Sequence, residues 1–308
     1  MAMEALRARF LSRPNRFTAV VELPDGSVEK AHVADPGRLR ELLFPGNEVL
    51  VVPKEGGKLR LRLLAARARE SGSWVLIDSR LHNDLAELVL PSIPFLSAFG
   101  HVEREVRLPG ARVDFRLDGY LLEVKGCTLL RGRVAYFPDA PTARGLKHVR
   151  LLKAHGRGGL LFLVMAEAEL LALNYRTDPA FSREVARSGL DLFAYAFRFH
   201  AEELALEPLG LVPTTREEEP GRVLPFLAKL RRAVELYNRS HGVEARYDIV
   251  EVNVDSFVLA LTGYASCSCC LFDYLEDIIY EPGMEGWRVA SWRENRGQFL
   301  VRYEPSGR

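Results

Sequence analysis

Two carboxylates and a lysine stand out on two short, alternating apolar runs near the middle of the chain. Asp114 lies on the first run, and Glu123 and Lys125 lie on the second. The dipeptide Asp118-Gly119 joins the runs and favours a two-residue hairpin turn. Counting back from the residues that flank this turn places Asp114 opposite Glu123 on one sheet face, because side chains alternate with a period of two.

Directly opposed carboxylates destabilise a sheet, so a shared cation would give a reason for the pair. Carboxylate oxygens bind hard divalent ions, which predicts Mg²⁺ or Mn²⁺ at Asp114 and Glu123. Glu105 is a further candidate metal ligand, because the register through Pro109-Gly110 pairs it with Asp114. A one-residue slip would turn Glu105 to the other face. The alternative is a solvated face in which arginines neutralise the acids.

The basic residues are unevenly distributed along the chain. A formal net charge of +1 argues against a wholly basic nucleic-acid coat, but Arg131 to Arg157 holds seven lysines and arginines against one acid, Asp139. Arg144, Lys147 and His148 fall at i, i+3 and i+4 and share one face of the helix expected there. The spacing predicts phosphate contacts with a nucleic acid. A charged, solvated helix face is the alternative.

Composition describes an ordinary globular chain. Its 308 residues are 48% hydrophobic, and no apolar run approaches the roughly 18 residues of a membrane span. Met1 to Phe17 lacks the apolar stretch of a signal peptide, so we expect a cytoplasmic protein with no membrane partner. Cys267, Cys269 and Cys270 form a dense C-x-C-C cluster with no histidine in the helix expected after it, and a disulfide or buried thiols is expected there instead of a zinc site.

Turn signals and hydrophobic periodicity predict three units in an α/β (α+β) chain. Residues 1–78 carry about five short strands, which fits a small β-barrel such as an OB-like barrel, with one helix over Pro36–Leu43. Residues 79–212 form an α/β core. The proline- and glutamate-rich segment Leu209–Gly221 is typical of a linker. Residues 213–308 follow as an additional α+β domain that we expect to fold semi-independently.

Asp114 with Glu123-x-Lys125 resembles the motif of the PD-(D/E)xK nuclease-like superfamily. Neighbouring segments are similar to one family within it, the sugar fermentation stimulation protein A (SfsA) family. These segments occur in family order over residues 1 to about 210: Arg13–Phe17, His32–Leu39, Ala111–Phe115, Leu122–Leu129 and Phe137–His148. Ala111 replaces the serine usual in the family, which bears on accessory contacts.

The resemblance implies an N-terminal OB-like nucleic-acid-binding domain, a nuclease-like domain at 79–212, and DNA binding without marked sequence preference. It implies that Asp114 and Glu123 bind the catalytic metal, with Glu105 as a further ligand. Lys125 would stabilise or help deprotonate the attacking water, and a simple counter-ion role is the alternative.

Four residues of the first domain are nucleic-acid-binding candidates in the light of the resemblance: Arg13, Asn15, Arg16 and Arg38. Without it, solvated loop charges explain them equally well. Three functions stay open: a Mg/Mn-dependent nuclease, a non-catalytic DNA-binding transcriptional regulator on a nuclease fold, and an enzyme acting on RNA or nucleotides. Residues 213–308 lie outside the family pattern, and packing, homodimer formation or partner recruitment are their candidate roles.

Overall fold

The structure is a computed structural model that describes residues 5–242, 244–264 and 271–307. The cysteine cluster expected to form a disulfide or buried thiols, Cys267, Cys269 and Cys270, lies outside the described residues. Strands of the described part form three sheets. None of the helices in that part is both long and apolar enough to span a membrane.

The first sheet curls into a barrel. Its strands are β1 (Leu6–Asn15), β2 (Thr18–Glu22), β3 (Val28–Val33), β4 (Glu48–Pro53), β5 (Leu61–Arg67) and β6 (Trp74–Leu76). β3 pairs in parallel with β5, so β1 to β5 close on themselves. Closure removes the free edges of these strands and encloses alternating buried residues such as Phe10, Val21 and Val51. The prediction of an OB-like barrel is confirmed.

The helix predicted over Pro36–Leu43 is wrong. The segment is a loop, in which the Asp35 carboxylate accepts a hydrogen bond from the Gly37 N–H at 2.6 Å. Leu39 has a φ of 49°, a left-handed conformation that no right-handed helix contains. The Leu39 N–H instead donates to Asp139 of the central domain at 3.3 Å. Contacts outside the segment therefore outweigh its local helix signals.

The second sheet carries the predicted carboxylates. Its strands, in spatial order, are β15 (Ala205–Leu211), β14 (Asp191–His200), β12 (Gly158–Val164), β9 (Tyr120–Cys127), β8 (Ala111–Leu117) and β7 (Val102–Leu108). Three helices belong to this region: α1 (His82–Val89), α2 (Ala143–His155) and α3 (Pro179–Ala186). β9, β12 and β14 run parallel, and β12 is buried along its whole length, as expected for the centre of a sheet covered on both faces.

The register of both hairpins follows the turn chemistry. Leu117 pairs with Tyr120 across Asp118-Gly119, and Leu108 pairs with Ala111 across Pro109-Gly110. Along β9, Leu121 packs in the core shared with α2 and α3, whereas Leu122 packs in the core shared with the barrel. The strand that bears Glu123 is therefore held from both faces.

The third sheet links central and C-terminal residues. Its strands, in spatial order, are β10 (Leu129–Arg131), β11 (Val134–Phe137), β13 (Leu170–Leu173), β16 (Thr214–Thr215), β17 (Arg246–Val252), β18 (Phe257–Thr262), β20 (Gln298–Pro305) and β19 (Trp287–Asn295). Two helices accompany the C-terminal strands: α4 (Leu224–His241) and α5 (Leu271–Glu276). α4 packs Leu227, Leu230 and Tyr237 into their core.

The linker predicted at Leu209–Gly221 is wrong. Thr214 and Thr215 are fully buried and form a strand between β13 and β17. Two β-branched residues suffice for this short strand because partners on both sides satisfy its backbone. Residues 213–308 thus continue a sheet begun by central residues, which conflicts with semi-independent folding of that unit. The numerical domain boundaries stay a prediction.

Candidate metal and nucleic-acid site

A cleft of about 690 Å³ lies between the barrel and the central sheet. The barrel contributes Arg16 and the loop around Asp35. The central domain contributes the carboxylate hairpin and the start of α2. The polar side chains among its lining are Arg16, Asp35, Ser79, Arg80, His82, Asn83, Arg104, Glu105, Asp114, Glu123, Lys125, Thr128, Asp139, Thr142 and Arg144. The three residues of the sequence motif therefore share one cavity with basic side chains from both domains.

Glu123 has two unlike oxygens. Its Oε1 accepts hydrogen bonds from Lys125 Nζ and His148 Nδ1, while its Oε2 is buried without any hydrogen-bond partner among the described residues. The side chain is only 4% exposed. Burial favours the protonated form, but the charge of Lys125 and the hydrogen bond from His148 outweigh it and hold the Glu123 pKa below its ordinary value.

Asp114 lies one step beyond the last hydrogen-bonded pair of the β8–β9 ladder. Its Oδ2 accepts from the Val124 N–H at 2.8 Å, and its Oδ1 accepts from Asn83 Nδ2 at 3.5 Å. Burial raises the pKa of Asp114, and the negative charge of Glu123 raises it further, against an opposing effect of Lys125. The two carboxylates are thus coupled, and Asp114 is short of positive charge.

A hard divalent cation fits these two residues. A buried carboxylate oxygen without a partner is costly, and so is a buried carboxylate next to a second negative charge. A bound cation would give Oε2 of Glu123 a partner and would offset the negative charge of Asp114. Across the described ranges, however, no group of three or more His, Cys, Asp or Glu side chains is placed to hold a metal ion. The two carboxylates would therefore leave other coordination positions to water or to phosphate oxygens.

The structure does not bring Glu105 together with the other two acids at a common centre. Its register position opposite Asp114 is as predicted, but its φ of 53° interrupts the ladder there. The carboxylate is 53% exposed and accepts from Arg112 Nη1 at 3.2 Å. Glu105 lines the cleft as a surface ion-pair partner.

His148 occupies a different place from the predicted phosphate-contacting face. The residue is 5% exposed, and its Nδ1 donates to Glu123. A buried ring bonded to a carboxylate cannot reach a phosphate at the surface, so His148 orients Glu123 instead. On the same helix, Lys147 donates to the Gly110 carbonyl at 2.6 Å and does not line the cleft, whereas Arg144 is exposed and does line it.

Arg13 is a structural residue of the barrel. Its guanidinium donates to four backbone carbonyls, those of Arg16, Asp35, Gly37 and Arg38, at distances from 2.6 to 2.9 Å. This leaves it no free donor pair for a phosphate. The Asn15 side chain accepts from the Phe17 N–H at 2.9 Å and closes the turn between β1 and β2. Neither residue lines the cleft, and neither does the exposed Arg38.

Comparison with known proteins identifies the family. Residues 11–77 match the SfsA N-terminal OB domain, and residues 80–203 match the sugar fermentation stimulation protein RE domain. The sugar fermentation stimulation protein homolog of Moorella thermoacetica is 43% identical over 223 residues, which cover 67% of this chain and 95% of that relative. This chain belongs to the SfsA family.

Other relatives agree. The homolog from Saccharolobus solfataricus is 41% identical over 62% of this chain and 78% of its own length. A solved structure of Pyrococcus furiosus SfsA in complex with Ca²⁺ superposes with a TM-score of 0.61 at 25% identity, covering 68% of this chain and 96% of that one. The predicted family is confirmed. Residues 204–308 lie beyond both matched segments.

Two residues of the cleft were missed from the sequence because they lie some 30 positions before Asp114. Asn83 bonds Asp114, and the ring of His82 lies against Gly126, where an added Cβ would fall 2.1 Å from the His82 Cε1 atom. Burial, aided by the charge of Lys125 and opposed by Asp78, lowers the pKa of His82 to about 4. His82 is therefore a neutral imidazole on the cleft wall.

Proposed function

We propose that this SfsA-family chain is a DNA-binding protein that holds Mg²⁺ or Mn²⁺ at Asp114 and Glu123 and hydrolyses nucleic-acid phosphodiesters without strong sequence preference. One observation carries the proposal: the buried Oε2 of Glu123 has no hydrogen-bond partner among the described residues, and it lies in the same cleft as Asp114, Arg16 and Arg144. The presence of Ca²⁺ in the Pyrococcus furiosus SfsA structure supports a divalent cation in this family.

A bound divalent cation would supply a water of lowered pKa and would offset charge that develops on the phosphate. The chain's own residues do the rest. His148 and Lys125 both hold Oε1 of Glu123, which leaves Oε2 for the cation. Lys125, 16% exposed in the cleft, supplies a positive charge beside the attacking water. Arg16 and Arg144 bind phosphates of the nucleic acid.

The test combines metal binding with cleavage. Purified protein is titrated with Mn²⁺ by calorimetry, and labelled DNA is incubated with Mg²⁺, Mn²⁺ or EDTA. We expect Asp114→Asn to lose both Mn²⁺ binding and cleavage, and Lys125→Ala to lose cleavage with a smaller loss of Mn²⁺ affinity. Glu105→Gln is the matched control, since it removes a carboxylate from the same cleft without touching the proposed site.

Equal Mn²⁺ affinity of wild type and Asp114→Asn would contradict the metal site. Cleavage that persists unchanged in Lys125→Ala would remove Lys125 from the mechanism. A non-catalytic DNA-binding regulator is the second candidate, because the described residues offer only two converging carboxylates. That function predicts metal-stimulated DNA binding without any cleavage product under all three conditions.

A further inference from the structure

The cleft is small for a nucleic-acid duplex. Its volume of about 690 Å³ lies within the range of pockets that enclose one small ligand. Glu123, whose side chain is 4% exposed, lies on its inner wall. A duplex carries its phosphates on the outside of a stiff cylinder with grooves of about 6 and 12 Å, so a phosphate in this cleft would require local unpairing.

Four arginines of the described residues line the cleft, and two of them have acidic partners. Arg80 is held by Asp78, and Arg104 pairs with Asp84 and Glu87. By contrast, the structure shows no ion pair for Arg16 or Arg144 with any described carboxylate. Arg16 comes from the barrel and Arg144 from α2 of the central domain. A strand passing between the two domains would find one unpaired guanidinium from each.

An exposed aromatic ring stands next to Arg16. Phe17 is 47% exposed at the turn between β1 and β2, and the Arg16 guanidinium lies 5.1 Å from the centre of its ring. Over residues 5–212, all of which are described, Phe17 is the one aromatic among the exposed large apolar side chains. The hydrogen bond from its N–H to Asn15 holds the turn that presents it. An exposed ring beside an arginine that makes no ion pair with a described carboxylate is the arrangement on which unpaired bases stack.

We propose that this cleft accepts a single, unpaired DNA strand, with its phosphates bound by Arg16 and Arg144 and one base stacked on Phe17. The proposal rests on the proposed function, because it names the substrate class of the same site. It goes further in excluding intact duplex from the carboxylates. Paired bases bury their faces against each other, so duplex DNA cannot offer a base to Phe17.

The experiment measures binding and cleavage separately. Anisotropy in EDTA compares a labelled single strand with its duplex, using wild type, Phe17→Ala and the matched control Val28→Ala, which truncates a 59% exposed side chain on β3 of the same barrel. We expect the single strand to bind more tightly. Phe17→Ala should weaken single-strand binding by about 5- to 150-fold, the cost of one lost stacked base, and should leave duplex binding unchanged. Val28→Ala should bind both DNAs as wild type does.

The salt dependence of binding tests the roles of Arg16 and Arg144 separately. The slope of log affinity for the single strand against log salt concentration is the quantity measured. Replacing both Arg16 and Arg144 with alanine should make this slope shallower by about 1.4, or roughly 0.7 per phosphate contact. An unchanged slope would overturn their assignment. Circular dichroism and thermal unfolding of each variant show whether it is folded, and a conservative Phe17→Tyr variant should restore single-strand affinity.

The outcomes separate this proposal from the proposed function. Duplex binding as tight as single-strand binding, or a Phe17→Ala effect equal on both, would overturn the single-strand proposal even if cleavage occurs. Strand preference with a selective Phe17→Ala effect, but no product with Mg²⁺ or Mn²⁺, would support it and would refute nuclease activity instead.

Discussion

Replacement of Asp35 by asparagine should make this protein more stable at alkaline pH. Asp35 lies in the barrel loop that borders the cleft, and its carboxylate accepts from the Gly37 N–H. Burial is the main cause that raises its pKa to about 6, and Asp139 adds to the effect, against opposing contributions from the Gly37 hydrogen bond and Arg13. Asparagine keeps an oxygen acceptor but cannot ionise.

The magnitude follows from linkage. A folded-state pKa of about 6 against an ordinary value of 3.8 is a difference of about two units, and each unit corresponds to about 1.36 kcal/mol. Because the folded-state pKa is the higher one, stability is full below pH 4 and is lost as the pH rises through 6. Asp35→Asn should therefore gain at most about 3 kcal/mol over wild type at pH 8, and little at pH 4.

Urea unfolding at pH 4.5, 6 and 8 measures the difference between the two proteins at each pH. Asp25→Asn is the control, because Ser27 lowers the pKa of Asp25 in an exposed turn, so its replacement should bring no gain at high pH. A gain for Asp35→Asn that is the same at all three pH values would refute the burial argument. So would a loss at pH 8.

Three further outcomes are expected. Arg216→Met should lower the free energy of unfolding by about 3–5 kcal/mol, because Glu251, 3% exposed, loses its main cation; a loss below 1 kcal/mol in urea unfolding would contradict this. His148→Ala should weaken Mn²⁺ binding measured by calorimetry, since Glu123 loses a donor to Oε1; unchanged affinity would show that its orientation does not depend on the imidazole. Deletion of 213–308 should abolish cooperative thermal unfolding, because β13 keeps β11 but loses β16, its partner on the other side; a soluble fragment with a sharp transition would contradict the continuous sheet.

Local turn chemistry made the carboxylate hairpin predictable. The Asp118-Gly119 turn fixes the register, and register determines which residues of β8 and β9 lie opposite each other. It does not determine where a ladder stops. Asp114 bonds the backbone of Val124 just past the last pair, and Glu105 leaves the ladder through a positive φ. Neither deviation can be read from the turn signals that set the register.

The nucleic-acid candidates show a second limit. Arg13 and Arg16 stand three positions apart in the same basic segment, yet one binds carbonyls of its own barrel and the other lines the cleft. Residue type predicts which ligand a guanidinium can bind, but the available partner depends on the folded loop. His148 shows the same limit, since helical spacing placed it with Arg144 while burial turned it to Glu123.

The missed strand Thr214–Thr215 shows a third limit. Two residues between prolines and glutamates carry no periodicity, and only the exposed backbone of β13 and β17 makes them a strand. Without them, β13 would present an unpaired edge next to the apolar core that Leu170 and Ala172 share with the C-terminal helix α4.

The C-terminal residues also contact the carboxylate hairpin directly. Arg296, in the turn between β19 and β20, pairs with Asp118 at 3.1 Å, within the turn that sets the hairpin register. On β19, Arg293 pairs with Asp191, and Asp191 accepts from the Tyr120 hydroxyl at 2.8 Å at the first residue of β9. Both sets of contacts therefore hold the start of the strand that carries Glu123. Although residues 204–308 lie beyond the matched family segments, they support the candidate site, and we expect their removal to release the hairpin as well as the sheet edge.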